Sequence, residues 1–157
     1  MRKRVIDPAA PRVPQPEPEW LEIEELATIE VTSEDPNFPI ESALSSGTGP
    51  GWRAAERGSQ IIRIIFDKPR PVHRIRLEFC ETEMERTQEF TLRWSAELAG
   101  PFKEIVRQQW NFSPQGSTSE VEDYQVELDG VSVLELALKP DLRPDNAFAT
   151  LARWRMA

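Results

Sequence analysis

Trp52 and Arg53 close a long stretch rich in glycine and proline, and they are the first residues of this chain that read as chemistry. An indole offers a flat apolar face on which a sugar ring can stack, plus one N–H donor. Buried, the same side chain plugs the end of a core, as tryptophans commonly do. Trp52 carries both readings. Arg53 brings a planar five-donor fork, suited either to ligand hydroxyls or to one of the carboxylates nearby. Asn37, upstream in the same stretch, and Arg86, set among Glu81, Glu83, Glu85 and Glu89, are the other polar groups placed to grip something. Asn37, Trp52, Arg53 and Arg86 form the expected ligand-binding set.

Catalytic chemistry is harder to assemble. Two carboxylates can hydrolyse a glycoside when a cleft holds them at a set separation, but the run from Glu81 to Glu89 reads as a solvated acidic loop. His73 is the single histidine. It falls on the alternation of Ile75 and Leu77 and reads as a core or rim residue. Cys80 therefore has no histidine pair to serve it, and a zinc site lacks ligands. No glycine-rich phosphate loop, nucleophile elbow or His-Glu-x-x-His pattern is present. With no acid, base and nucleophile to combine, the expectation is a binding protein and not an enzyme.

Composition narrows the partners. A chain of 157 residues with 19 basic and 27 acidic side chains carries a formal charge of −8. Nucleic-acid affinity rests on neutralised phosphates, and anionic membranes attract basic segments, so neither is an expected partner. A lone cysteine forms no internal disulfide and suits a reducing compartment. The basic start Met1-Arg2-Lys3-Arg4 is followed by Asp7, Pro8 and Pro11 and by no apolar stretch, which leaves a cytoplasmic protein as the default.

These side chains need elements to hold them. Residues 1–19 read as a disordered proline-rich tail, with Pro8, Pro11, Pro14, Pro16 and Pro18 favouring extended polyproline II. Residues 20–157 read as one domain. Trp20 to Leu26 is ambiguous between a helical turn and an edge strand. Beyond it the apolar period is two: Ala27, Ile29, Val31; Ile62, Ile64, Phe66; Ile75, Leu77, Phe79; Phe90, Leu92, Trp94; Val106, Trp110, Phe112; Tyr124, Val126, Leu128; Leu134, Leu136, Leu138; and Phe148 to Met156. Turn signals separate the runs at Pro69-Arg70-Pro71, Gly100-Pro101, Ser113 to Gly116, Asp129-Gly130 and Pro140 to Pro144. About eight strands, each with one wet face, predict an all-β antiparallel sandwich or jelly roll. Residues 35–51 make the one long irregular connection, and end loops are where sandwiches build sites.

A family resemblance adds to this. Ile40-Glu41-Ser42-Ala43-Leu44, the Gly-rich bend, Gly51-Trp52, then Ile62-Arg63-Ile64-Ile65-Phe66-Asp67-Lys68-Pro69 and Val72-His73-Arg74-Ile75-Arg76-Leu77 resemble the discoidin, or coagulation factor 5/8 type C, domains. The closing Ala149 to Arg155 is similar to that family's last strand. The resemblance implies the galactose-binding-like jelly roll, non-catalytic binding through end loops, and a glycan or protein ligand. It also implies a calcium loop, for which Glu34, Asp35 and Asn37 are the available oxygen donors. Trp52 to Gly58 is in addition similar to a segment of the N-terminal domain of the animal single-strand-break repair scaffold, which binds repair partners. Carbohydrate binding is the first functional expectation, and an intracellular protein-interaction or scaffold module is the alternative.

Overall fold

A computed structural model describes residues 1–3, 18–47 and 49–157. The expected proline-rich tail lies largely outside the described residues. The chain runs α1 (Ile23–Leu26), β1 (Ala27–Val31), α2 (Glu41–Leu44), β2 (Trp52–Arg57), β3 (Gln60–Cys80), β4 (Arg86–Ser95), β5 (Lys103–Phe112), β6 (Ser119–Lys139), β7 (Phe148–Leu151) and β8 (Arg153–Met156). Every pairing is antiparallel. The main sheet runs β1-β3-β6-β4-β5 with β8 on β3, and β2 pairs with β7 in a separate ribbon.

The expected all-β jelly roll is present, with its strands divided differently. The segments 62–66 and 75–79 are one 21-residue strand, β3, and the segments 124–128 and 134–138 are one strand, β6. The turn signals at Pro69-Arg70-Pro71 and Asp129-Gly130 mark bends within those strands, where the β3–β6 register shifts. Gly130 takes the left-handed φ of 68° there, at no steric cost. The bends explain His73. Shifts on either side of Val72 break the alternation, so Val72 is buried and His73 is exposed, contrary to the expected inward position. The strand Trp52–Arg57 went unread because Ala54 is its main inward apolar partner after Trp52.

The bends turn one sheet into two layers. The first halves of β3 and the second half of β6 join β1, β4 and β5, while the far halves join β8. The layers meet face to face: the Phe79 ring of β3 stacks on Phe90 of β4 at 5.4 Å, although the two strands are not neighbours in the sheet. Ile62, Ile64, Leu92, Leu134 and Leu136 from one layer and Ile75, Leu77, Trp154 and Met156 from the other form a single buried core. The alternating sets read from the sequence are these inward residues.

The outer face of the larger layer carries a charge ladder. Glu30, Arg63, Glu135 and Arg93 are cross-strand neighbours in successive strands, and Glu104 continues the row on β5. Opposite charges directly across a sheet are the favourable arrangement. Glu135 sits at the centre, only 1% exposed, accepting from Arg63 Nε at 2.8 Å and from Arg93 Nε at 3.0 Å and Nη2. Burial alone would raise its pKa, but the two guanidiniums more than offset that and hold it below the ordinary carboxylate range. A depressed acid stabilises the fold above its unfolded pKa and loses that contribution as pH falls. Glu135→Ala is expected to cost about 2 kcal/mol at pH 7, less than for a wholly enclosed pair because both arginines reach water. Urea melts should show the gap between the two proteins closing as pH drops below 4.5, the ordinary carboxylate value.

Candidate functional site

The connections 32–51, 81–85, 113–118 and 140–147 gather at one end of the sandwich. The long connection 32–51 is held there by its own side chains. Asp35 Oδ1 accepts the Asn37 N–H at 2.9 Å, Glu34 Oε1 accepts the Ile40 N–H, and Ser42 Oγ accepts the Gly51 N–H at 2.9 Å. Thr32 and Ser33 hydroxyls both donate to Gln60 Oε1, at 2.6 and 2.8 Å. Gly51 has φ 87°, and a Cβ there would stand 2.5 Å from the Leu151 carbonyl, so only glycine lets the loop press onto β7.

Each expected site residue can now be placed. Trp52 is buried, donates its indole N–H to the Ser33 carbonyl at 3.2 Å and fills the end of the core. Asn37 is exposed in its own Asx turn. Arg53 is half-buried, with its guanidinium 4.8 Å from the Phe148 ring centroid. Arg86 is wholly buried and acts as the clasp of the end loops. Its Nε donates to Glu81 at 2.7 Å, its Nη1 to the Pro140 carbonyl at 2.7 Å and to Gln88 at 3.1 Å, and its Nη2 to Thr150 at 3.5 Å. Thr150 is also the β7 register partner of Arg53, so the Arg86 clasp and the Arg53 backbone meet the same strand position. Asn37 and Trp52 connect to them through backbone only, with Asp35 N–H donating to the Arg53 carbonyl at 2.8 Å. The Glu34 and Asp35 carboxylates are occupied by backbone donors of their own loop, and among the described residues no group of three or more His, Cys, Asp or Glu side chains is arranged to hold a metal.

Beside Arg86 lies a cleft of about 730 Å³, lined by Glu85, Thr87, Asn111, Asp141, Leu142 and Arg143 over Phe112. Sequence reasoning passed over most of it. Pro140 to Pro144 read as a turn, and Asn111 falls on the wet side of a strand read only for Val106, Trp110 and Phe112. Asp141 is its fixed point: buried, accepting from Asn146 Nδ2 at 2.7 Å, from Arg143 Nε at 3.0 Å, and from two backbone N–H groups. Burial pushes its pKa up, and these donors more than reverse the shift, keeping it ionised. Thr87 Oγ1 donates to Asn111 Oδ1 at 2.7 Å, which leaves the Asn111 amide N–H groups for a ligand. Leu142 is 46% exposed, an apolar edge on an otherwise polar wall. Glu85 and Asp141 balance Arg86 and Arg143, so the cleft holds no net charge.

The same end carries an acidic pair, one member buried and one half-buried. Glu120, fully enclosed on the inner face of β6, accepts from Gln88 Nε2 at 3.2 Å, while its other oxygen has no protein donor. Glu122 lies beside it and accepts from the Tyr124 hydroxyl at 3.3 Å. Burial first, then Glu122, pushes the Glu120 pKa up to about 8.

No protein-family model matches this sequence, and no curated protein matches it. Solved structures do. A family 32 carbohydrate-binding module of C. perfringens NanJ, in complex with galactose, superposes with a TM-score of 0.60 at 15% identity, over 87% of this chain and 96% of that one. The chain has the galactose-binding-like jelly roll. The family 32 module of AlyQ, in complex with 4,5-unsaturated mannuronic acid, gives 0.62 at 12% identity, over 84% and 95%. XRCC1 bound to the DNA pol beta catalytic domain gives 0.58 at 14%, over 82% and 92%. The jelly roll expected from Ala43-Leu44, Trp52 and the Ile62–Leu77 strands is therefore the observed one.

The Glu120 shift fixes a pH signature for this end of the fold. A raised acid favours folding below its unfolded pKa, near 4.5, and loses that contribution as pH rises through about 8. Thermal melts should fall in midpoint between pH 5 and 9. Glu120→Gln, which keeps the bond to Gln88 and removes the titration, should flatten that fall and gain about 1–2 kcal/mol at pH 9.

Proposed function

We propose that this protein is a carbohydrate-binding module that takes a saccharide in the cleft between Thr87, Asn111 and the 140–147 loop. The observation that carries the reading is the cleft itself: a pre-formed, charge-neutral recess with donors and acceptors already oriented by protein partners. A sugar needs directional hydrogen bonds from groups that lose little freedom on binding. Asn111 supplies amide donors, Glu85 supplies acceptors, and Arg143, 67% exposed at its side chain and held through Nε and Nη2 by Asp141, supplies its remaining Nη1 donors. Leu142 covers the C–H face of a ring. Arg86 and Trp52 act from behind as positioning residues, since both side chains are buried. Arg53 and Asn37 occupy the same end of the domain. The shared fold supports the reading, because the NanJ and AlyQ modules carry their sugars on the same kind of jelly roll.

A panel of mono- and oligosaccharides titrated into the labelled protein tests this. At least one sugar should bind with a Kd of about 1 mM or tighter, equivalent to about 4 kcal/mol, and should shift the Thr87, Asn111 and Leu142 amides. Asn111→Ala should weaken it about tenfold with the melting temperature unchanged, as befits one lost hydrogen bond to a ligand, whereas Arg143→Ala should weaken it and also lower the melting temperature, because it removes a donor from buried Asp141. No response from any sugar, or shifts confined to another surface, would remove the reading.

A further inference from the structure

Most arginines on the sheet faces of this acidic protein are matched to carboxylates, among them Arg63 and Arg93 to Glu135, Arg74 to Asp123, and Arg107 to Glu89 and Glu104, while Arg155 lies over the Trp20 ring. Arg53 and Arg57 break that pattern. Among the described residues neither guanidinium has a carboxylate or a hydrogen-bonding acceptor. Each instead lies against the Phe148 ring, at 4.8 and 5.3 Å from its centroid. The ribbon register explains the placement, with Arg53 opposite Thr150 and Arg57 opposite Phe148. An aromatic face fixes a guanidinium without using up its N–H donors. Two charges in a chain of net −8 are thus held in place with their N–H donors unused, Arg57 exposed and Arg53 half-buried.

The loop that walls the cleft runs directly into Phe148, and Thr150 accepts from Arg86 at the back of that cleft. A chain molecule lying in the neutral cleft and continuing past its rim meets Arg53 and Arg57 next. Guanidinium forks match carboxylates bidentately. We infer that Arg53, Phe148 and Arg57 form an acidic-sugar subsite beside the cleft, so that the preferred ligand is an oligosaccharide bearing uronic-acid carboxylates. This rests on the carbohydrate-binding reading and adds the ligand class to it.

The test compares a galacturonic-acid trimer with the matching galactose trimer by calorimetry at low and at 0.3 M salt. The acidic trimer should bind at least tenfold tighter at low salt, and the advantage should shrink as salt screens it. Arg53→Gln/Arg57→Gln should bring the acidic trimer down to the neutral one and leave the neutral affinity unchanged. The exposed Arg57→Gln alone should remove part of the advantage and serves if the double variant is unstable. Equal affinities in the unaltered protein, or a preference that survives both substitutions, overturns the subsite while the cleft reading stands. Failure of both trimers and of every neutral sugar overturns the two together. A polyglutamate peptide that binds as tightly as the acidic trimer and is lost with the same substitutions overturns the saccharide assignment in favour of an acidic protein segment.

Discussion

A 21-residue strand would run about 70 Å if straight, roughly twice the width of a domain of this size. β3 and β6 escape that length only by bending together, at Phe66–Val72 and at Leu128–Val131, where their register slips. Because they are paired on both sides of the bend, the two strands carry the chain from one layer into the other without breaking the ladder. Everything else follows from this shared fold line. β1, β4 and β5 extend one half, β8 extends the other, and Phe79 meets Phe90 across the gap. The bend ends of the strands close one pole of the sandwich. The other pole receives the connections 32–51, 81–85, 113–118 and 140–147.

That second pole cannot be closed by strands, so polar side chains close it. Arg86 is the clearest case. A guanidinium taken out of water is tolerable only when its donors are met, and Glu81, Gln88, Pro140 and Thr150 meet them from separate parts of the chain. The cost of leaving any one unmet ties those segments into a single arrangement. Asp141 repeats the logic on the next loop, with Asn146, Arg143 and Thr87 as donors. A cleft bounded by two such clasps keeps its shape before a ligand arrives, which is what weakly binding polar ligands need.

Much of the fold was legible because inward residues on a half-wet strand must recur every second position. Ile62 and Ile64, Ile75 and Leu77, and Leu134 and Leu136 sit where that rule places them. The divisions between strands were less legible. Proline and glycine mark a hairpin turn and a bulge with the same letters, so Pro69 to Pro71 and Asp129-Gly130 read as ends when they are bends. At the candidate site the chemistry was visible and the burial was not. Arg86 looks like one more charge in an acidic run, and Glu135 looks like the solvent side of an alternating strand; each is enclosed by partners far away in sequence. Asp141 and Leu142 lay in a segment whose prolines announced only a turn. Trp52 shows the reverse case, since its type alone allowed either a plug or a platform and only the Ser33 carbonyl decides for the plug.

Charge is sorted by surface in this protein. On the large sheet face positive and negative side chains alternate strand by strand and cancel, which favours pairing and discourages another charged surface from docking there. At the loop pole the clasps cancel as well, so the cleft offers hydrogen bonds without a field. On the β2–β7 ribbon two cations share one aromatic ring and have no carboxylate. A ring supports a guanidinium by its face and leaves the in-plane donors untouched, whereas a carboxylate consumes them. The difference between Arg53 or Arg57 and Arg63 or Arg93 is therefore not one of charge but of remaining bonding capacity, and that capacity lies on the strands that the wall of the cleft leads into.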